Sequence, residues 1–121
     1  MPDLVFFYGT LMSGQVNHSV LRPAEFLGRA ATAPGYALYD LGEYPALVAA
    51  AEGAVVHGEL YLVSAPVLAC LDEFEGCPEL YGRVLITLAG GDQAFAYVME
   101  ASRVGQASRI GSGTFGAPAG F

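Results

Sequence analysis

LDEFEGCPELYGR, residues 71–83, crowds four of the chain's twelve acidic side chains, Asp72, Glu73, Glu75 and Glu79, into one short stretch. A carboxyl group works as a general acid or base near neutral pH only if its surroundings raise its proton affinity. Spacing separates the four. The preceding run Val67-Leu68-Ala69-Cys70-Leu71 reads as helix. On a wheel of about 100° per residue with Val67 at zero, Leu71, Phe74, Cys70 and Leu68 lie at about 40°, 340°, 300° and 100°. The apolar face therefore centres near zero. Asp72 and Glu73, at about 140° and about 240°, fall on the flank and back and read as solvated. Glu75 falls at about 80°, on the apolar side. An ionised carboxylate there costs several kcal/mol unless paired or neutralised. The alternative is a helix that frays before Gly76 and releases Glu75 to water. Glu79 follows Pro78 and reads as an exposed turn residue, Tyr81 as a half-buried tyrosine and Arg83 as a surface arginine.

A second stretch, Phe6-Phe7-Tyr8-Gly9-Thr10-Leu11, runs an aromatic strand into Gly-Thr. Backbone N–H groups that turn outward where a chain leaves a sheet form a nest for a carboxylate or phosphate. The glycine pattern is neither a P-loop nor a dinucleotide fingerprint, and the chain has no lysine to reach a phosphate. The alternative is a turn that simply ends the strand.

These residues need elements to hold them. Leu4–Tyr8 predicts a buried strand, and Asn17 can cap a short helix that Pro23 disturbs. Phe26–Ala33, Tyr36–Asp40 and Tyr44–Val48 predict further extended segments, with Pro34-Gly35 as a turn between the first two. VVHGELYLV, residues 55–63, is the strongest strand of the middle region. Ser64 can cap a helix with Pro66 in its first turn, running to Phe74 or Glu75 and ending at Gly76. Tyr81–Leu88 and Gln93–Met99 flank Gly90-Gly91-Asp92 as a hairpin. From Ala101 the chain is rich in Gly, Ser and Ala. Residues 1–100 are therefore expected as one domain and 101–121 as a flexible tail. About six short strands and one good helix predict an α+β fold, a small six-stranded β-barrel with a packed helix.

Composition excludes several classes of function. The chain has 121 residues, is 54% hydrophobic and 14% charged, and carries five basic against twelve acidic residues, a net −7. Such a balance argues against binding nucleic acid or an anionic membrane. No run approaches the roughly 18 apolar residues of a membrane helix. MPDLVFFYGT has no basic segment ahead of its short apolar run, so a cytoplasmic protein is expected. Cys70 and Cys77 with His18 and His57 match no zinc spacing, so neither a metal nor a redox role is expected. Cys70 is expected to be a small buried residue.

VFFYGTLMSGQVNHSVL, then GELY, then LDEFEGCPELYGR together resemble the γ-glutamylcyclotransferase superfamily, nearest its γ-glutamylamine cyclotransferase and AIG2-like branch. The resemblance spans about residues 4 to 99, and its blocks occur in the family's order. It implies a small mixed β-barrel around a cavity, with YGTL at the mouth. The backbone of Tyr8, Gly9, Thr10 and Leu11 would hold the α-carboxylate of a γ-glutamyl group. Glu75 would be the general acid/base, and Tyr81 would shape the pocket. Substrates would be γ-glutamyl amines or γ-glutamyl amino acids, converted to 5-oxoproline and a free amine without metal or cofactor. Tyr36, Tyr39 and Tyr44, in a stretch that matches the family only loosely, would build the mouth facing the leaving amine. A monomer or weak homodimer is expected. The alternative from another class is a non-catalytic barrel that binds a small carboxylate metabolite, which would need the nest but not Glu75.

Overall fold

The computed structural model describes residues 2–15, 17–42, 44–50 and 53–115. The strands are β1 (Asp3–Phe7), β2 (Glu25–Ala31), β3 (Tyr36–Asp40), β4 (Pro45–Ala49), β5 (His57–Val63), β6 (Gly82–Thr87), β7 (Gln93–Val98) and β8 (Ser108–Arg109). The helices are α1 (Ala65–Phe74) and α2 (Ala101–Val104), with a 3-10 turn at His18–Leu21.

β1 lies in the interior of the mixed sheet, next to β7. It pairs antiparallel with β5, from Asp3 opposite Val63 to Phe7 opposite Glu59, and parallel with β7 at Val5 and Phe95. Its side chains alternate between two cores, as the period of two requires. Val5 and Phe7 pack with Tyr61, Val63, Leu68 and Leu71, whereas Phe6 and Tyr8 pack with Leu38, Leu47 and Ile86. That double burial is why the strand reads as a continuous apolar run. Beyond β5 the sheet ends in β2, and beyond β7 it continues through β4, β3 and β8, with β6 also paired to β7.

The α+β class holds, with two differences from the expected barrel. Among the described residues there are eight strands rather than about six, because all seven of the extended segments read from the sequence join the sheet and Ser108–Arg109 adds another. The sheet also curls without closing. β2 and β6 meet only at one end, where Thr32 bridges Leu88, the Ala33 N–H donates to the Thr87 carbonyl and the Ala89 N–H to the Ala31 carbonyl.

The chain beyond 100, read from sequence as a tail, is docked as far as residue 115. Val104 is buried, Ala107, Ile110 and Phe115 lean on the cores, and β8 pairs with β3. Four widely spaced apolar residues anchor it, a pattern too sparse to register as periodicity. Residues 116–121 of the expected tail lie outside the described residues, as does Val16 of the loop after YGTL. Among the described residues no helix is long and apolar enough to cross a membrane.

Candidate functional site

Helix α1 delivers Glu75. Leu68 and Leu71 are its buried residues, while Cys70 is exposed and Phe74 half-exposed. The buried face therefore centres between about 40° and about 100° on the wheel, not at zero, and Glu75 at about 80° lies within it. The same rotation corrects the expectation of a buried Cys70. The helix ends without fraying. The Cys77 N–H donates to the Asp72 carbonyl at 2.9 Å and the Gly76 N–H to the Glu73 carbonyl at 3.1 Å, the paired bonds of a Schellman cap. Gly76 takes the left-handed φ of +66° that this cap requires. Ser64 stands at the N-cap, but its side chain makes no capping bond. Held at the last turn, Glu75 is half-buried, and loss of hydration raises its carboxyl from 4.5 to about 7.

The YGTL turn faces this carboxyl across a cavity of about 200 Å³. Tyr8, Gly9, Thr10 and Leu11 all line it, with Glu75 and Tyr81. Among the described residues, the N–H groups of Gly9, Thr10 and Leu11 donate to no protein acceptor. Three consecutive free donors beside the cavity are the kind of group that holds a carboxylate. Several bonds hold the turn in place. The Asn17 side-chain amide donates to Thr10 Oγ1 at 3.0 Å and the Asn17 N–H to the Thr10 carbonyl at 2.9 Å. His18 Nδ1 lies 2.9 Å from the Leu11 carbonyl, which can only accept, so this nitrogen carries the proton. Asn17 stands at the N-cap of the 3-10 turn as expected, but its side chain anchors the YGTL turn and makes no capping bond. Gly9 has no room for a side chain, since a Cβ there would meet Pro45 Cγ at 2.8 Å.

Three phenols wall the cavity in fixed orientations. Tyr8 donates to the Tyr97 carbonyl at 2.6 Å, Tyr81 to the Pro45 carbonyl at 2.7 Å, and Tyr97 to Asp72 Oδ1 at 2.7 Å. Burial pushes all three well above the ordinary phenol range, so they stay neutral. Tyr97 carries no signal in the sequence beyond its place in a strand. Asp72, expected to face water, instead also receives Arg83 Nε at 2.8 Å, and Arg83 lies 4.7 Å above the Phe95 ring. The reason is topological: the β6–β7 hairpin brings Arg83 and Tyr97 under the flank of α1. Glu73 and Glu79 are exposed as expected. Of the three tyrosines expected at the mouth, only Tyr44 lines the cavity, edge-on to Tyr81 at 6.4 Å. The Tyr36 hydroxyl instead accepts the Thr87 N–H, and Tyr39 packs against a core.

Glu59, in the GELY strand, was not legible as a site residue. It is buried at 9% exposure, and its Oε1 accepts the Ser13 N–H at 2.8 Å and the Tyr61 hydroxyl at 3.0 Å, bracing the loop that follows YGTL. The only sequence signal was a charge inside an apolar strand.

A family model described as "Gamma-glutamyl cyclotransferase, AIG2-like" matches residues 5–117. A protein of Vibrio cholerae serotype O1 is 46% identical over 100 residues, covering 83% of this chain and 84% of that one. The human protein named Gamma-glutamylaminecyclotransferase is 44% identical over 91 residues, covering 69% of this chain. The chain spans only 60% of that human protein's length. Among solved structures, a mouse AIG2-like protein superposes with a TM-score of 0.73 at 34% identity, covering 81% of this chain and 77% of the mouse chain.

Proposed function

Because the chain belongs to the gamma-glutamyl cyclotransferase, AIG2-like family, we propose that it releases 5-oxoproline and a free amine from a γ-glutamyl amide, with Glu75 as general acid/base. The observation that carries the reading is a single desolvated carboxyl facing three free backbone N–H groups across one small cavity.

The substrate's α-carboxylate sits on the N–H groups of Gly9, Thr10 and Leu11. Its α-ammonium and γ-carbonyl then reach into the cavity toward Glu75. The ionised Glu75 takes a proton from the ammonium, and the freed amine attacks the γ-carbonyl carbon. A carbon–nitrogen bond forms and closes a five-membered ring. The ring nitrogen sheds a second proton on closure; Glu75 passes the first to the departing nitrogen as the original amide bond breaks, and the second leaves with the released amine as its ammonium. The nucleophile belongs to the substrate, so holding it in a reactive conformer does much of the work. A carboxylate at 4.5 is a poor base for an ammonium. Raising it to about 7 lowers the cost of that transfer by about 3 kcal/mol. The neutral phenols of Tyr8, Tyr81 and Tyr97 keep the site free of competing charge.

Glu75→Gln keeps the shape and removes the base, so 5-oxoproline release from γ-glutamyl amides should fall by at least about 10²-fold. Near-native release by that variant would sink the assignment.

A further inference from the structure

The turn that presents the free N–H groups is shaped locally but placed from a distance. Its carbonyls from Gly9 to Met12 are all occupied. The Met12 N–H donates to the Gly9 carbonyl at 3.1 Å and closes a β-turn. The Asn17 N–H donates to the Thr10 carbonyl at 2.9 Å and the Gln15 N–H to the Met12 carbonyl at 3.0 Å, while His18 Nδ1 holds the Leu11 carbonyl. These partners are near neighbours in the chain, so they fix the shape of the turn and would travel with it. Among the described residues, the hydrogen bonds that tie residues 9–13 to distant parts of the chain end on two side chains of β5. Glu59 Oε1 accepts the Ser13 N–H at 2.8 Å. Ser13 Oγ lies 3.4 Å from the Tyr61 hydroxyl, which itself donates to Glu59 Oε1 at 3.0 Å.

β5 is laddered on both sides, to β1 and to β2, so Glu59 stands on backbone that cannot shift alone. Tyr61 is fixed by ring contacts with Phe7 at 5.7 Å and Phe26 at 5.3 Å. Leu11 and Met12 are buried as well, but apolar contact is non-directional and tolerates sliding. Arg29 stands opposite Glu59 in the β2–β5 register, yet among the described residues the one ion pair is that of Arg83 with Asp72. A buried carboxylate without a cation is costly, and strong hydrogen bonds to it must offset that cost. Glu59 does not line the cavity that Glu75 faces, so it cannot act on a ligand there directly.

We propose that Glu59 is the positioning residue that sets where the YGTL donors sit relative to Glu75, acting through the Ser13 N–H. The inference rests on the cyclotransferase reading and goes beyond it. With the α-carboxylate held on the turn, any shift of the turn carries the α-ammonium and γ-carbonyl away from Glu75. A misplacement of about 1 Å is enough to cost about 10²-fold in rate.

Three substitutions separate position from charge and from packing. Glu59→Gln keeps an oxygen at the same reach, Glu59→Asp keeps the charge but is one methylene shorter, and Glu59→Leu removes the acceptor. Each is assayed as folded protein by 5-oxoproline release from the γ-glutamyl amides of butylamine, alanine and the ε-amine of lysine, on whichever the wild type turns over best. In Glu59→Asp and Glu59→Leu, KM should rise and kcat/KM should fall by about tenfold or more, while Glu59→Gln stays within about threefold of wild type. The bend of the pH profile should not move, because the surroundings of Glu75 are untouched. Inhibition by 5-oxoproline and by its primary amide, which lacks the charge, reads the turn itself. The wild type should prefer the acid, and Glu59→Leu should lose that preference, which a loss of stability alone would not change. Wild-type kcat/KM in Glu59→Asp, a Glu59→Gln as impaired as Glu59→Leu, or an unaltered or stronger preference for 5-oxoproline in Glu59→Leu each overturns the inference and leaves the cyclotransferase reading standing. Where Glu59→Leu does not fold, the Asp and Gln variants decide. Silence of the wild type on all three amides overturns the cyclotransferase reading itself, and this inference with it.

Discussion

Replacing Glu75 by glutamine removes a group whose ionisation the fold opposes, and the consequence for stability has a definite sign. Burial lifts the Glu75 carboxyl from 4.5 to about 7. At about 1.4 kcal/mol for each tenfold change in proton affinity, the folded protein disfavours the ionised form by about 3 kcal/mol. Between those two values the folded chain holds a proton that the unfolded chain has released. Stability of the wild-type protein therefore falls as pH rises through that window and levels off above it. The amide of the Glu75→Gln variant stays neutral throughout. At pH 4 the two proteins should unfold alike, because the protonated carboxyl and the amide are near-isosteres. At pH 8 Glu75→Gln should be the more stable by about 2–3 kcal/mol. Urea unfolding at both pH values reads this as a midpoint shift of about 1–2 M that appears only at the higher pH. Comparing the two proteins at each pH cancels the titration of every other group. A difference that is the same at pH 4 and pH 8 would refute the reasoning, since it would mean that Glu75 is hydrated in the folded state. The free energy lost to stability here is the same quantity that the proposed reaction draws on in using Glu75 as a base.

Activity should carry the same signature. With ionised Glu75 as the required form, kcat/KM should drop about tenfold per pH unit below an inflection near 7, and an inflection near 4.5 would contradict the desolvated site. Asp72→Asn should loosen the ties to Arg83 and Tyr97 at a cost of about 1–2 kcal/mol, measured by chemical denaturation, while turnover of γ-glutamyl amides persists. Glu73→Gln, one position further along the same helix, should change stability by less than about 0.5 kcal/mol by the same measurement.

Position within α1 was legible because a helix repeats every 3.6 residues, so covalent spacing alone rotates Glu75 onto the apolar side. The wheel placed the centre of that face too near Val67. It weighted Cys70 and Phe74 by their apolarity, whereas burial depends on which strands lie opposite. The YGTL turn was equally legible, since a glycine closing an aromatic strand is a local event. The family's motif blocks then joined the two stretches across some sixty residues, a link that periodicity could not supply.

What remained hidden follows from separation along the chain. Asp72 meets Arg83 and Tyr97 on the β6–β7 hairpin, and Glu59 of β5 meets Ser13 in the loop beyond β1. Nothing near any of these residues encodes such partners, because the order of strands in the sheet decides them. The docking of residues 101–115 has the same origin, as Val104, Ile110 and Phe115 pack against cores that strands distant in the chain assemble. By itself, the sequence determined the local pieces, a helix stopped at Gly76 with Glu75 on its apolar side and a glycine turn closing an aromatic strand. Only the tertiary structure set them on opposite sides of one cavity and surrounded the glutamate with three neutral phenols. Desolvation, and with it the proton affinity of Glu75, is a property of everything that packs around a group and not of its neighbours in the chain.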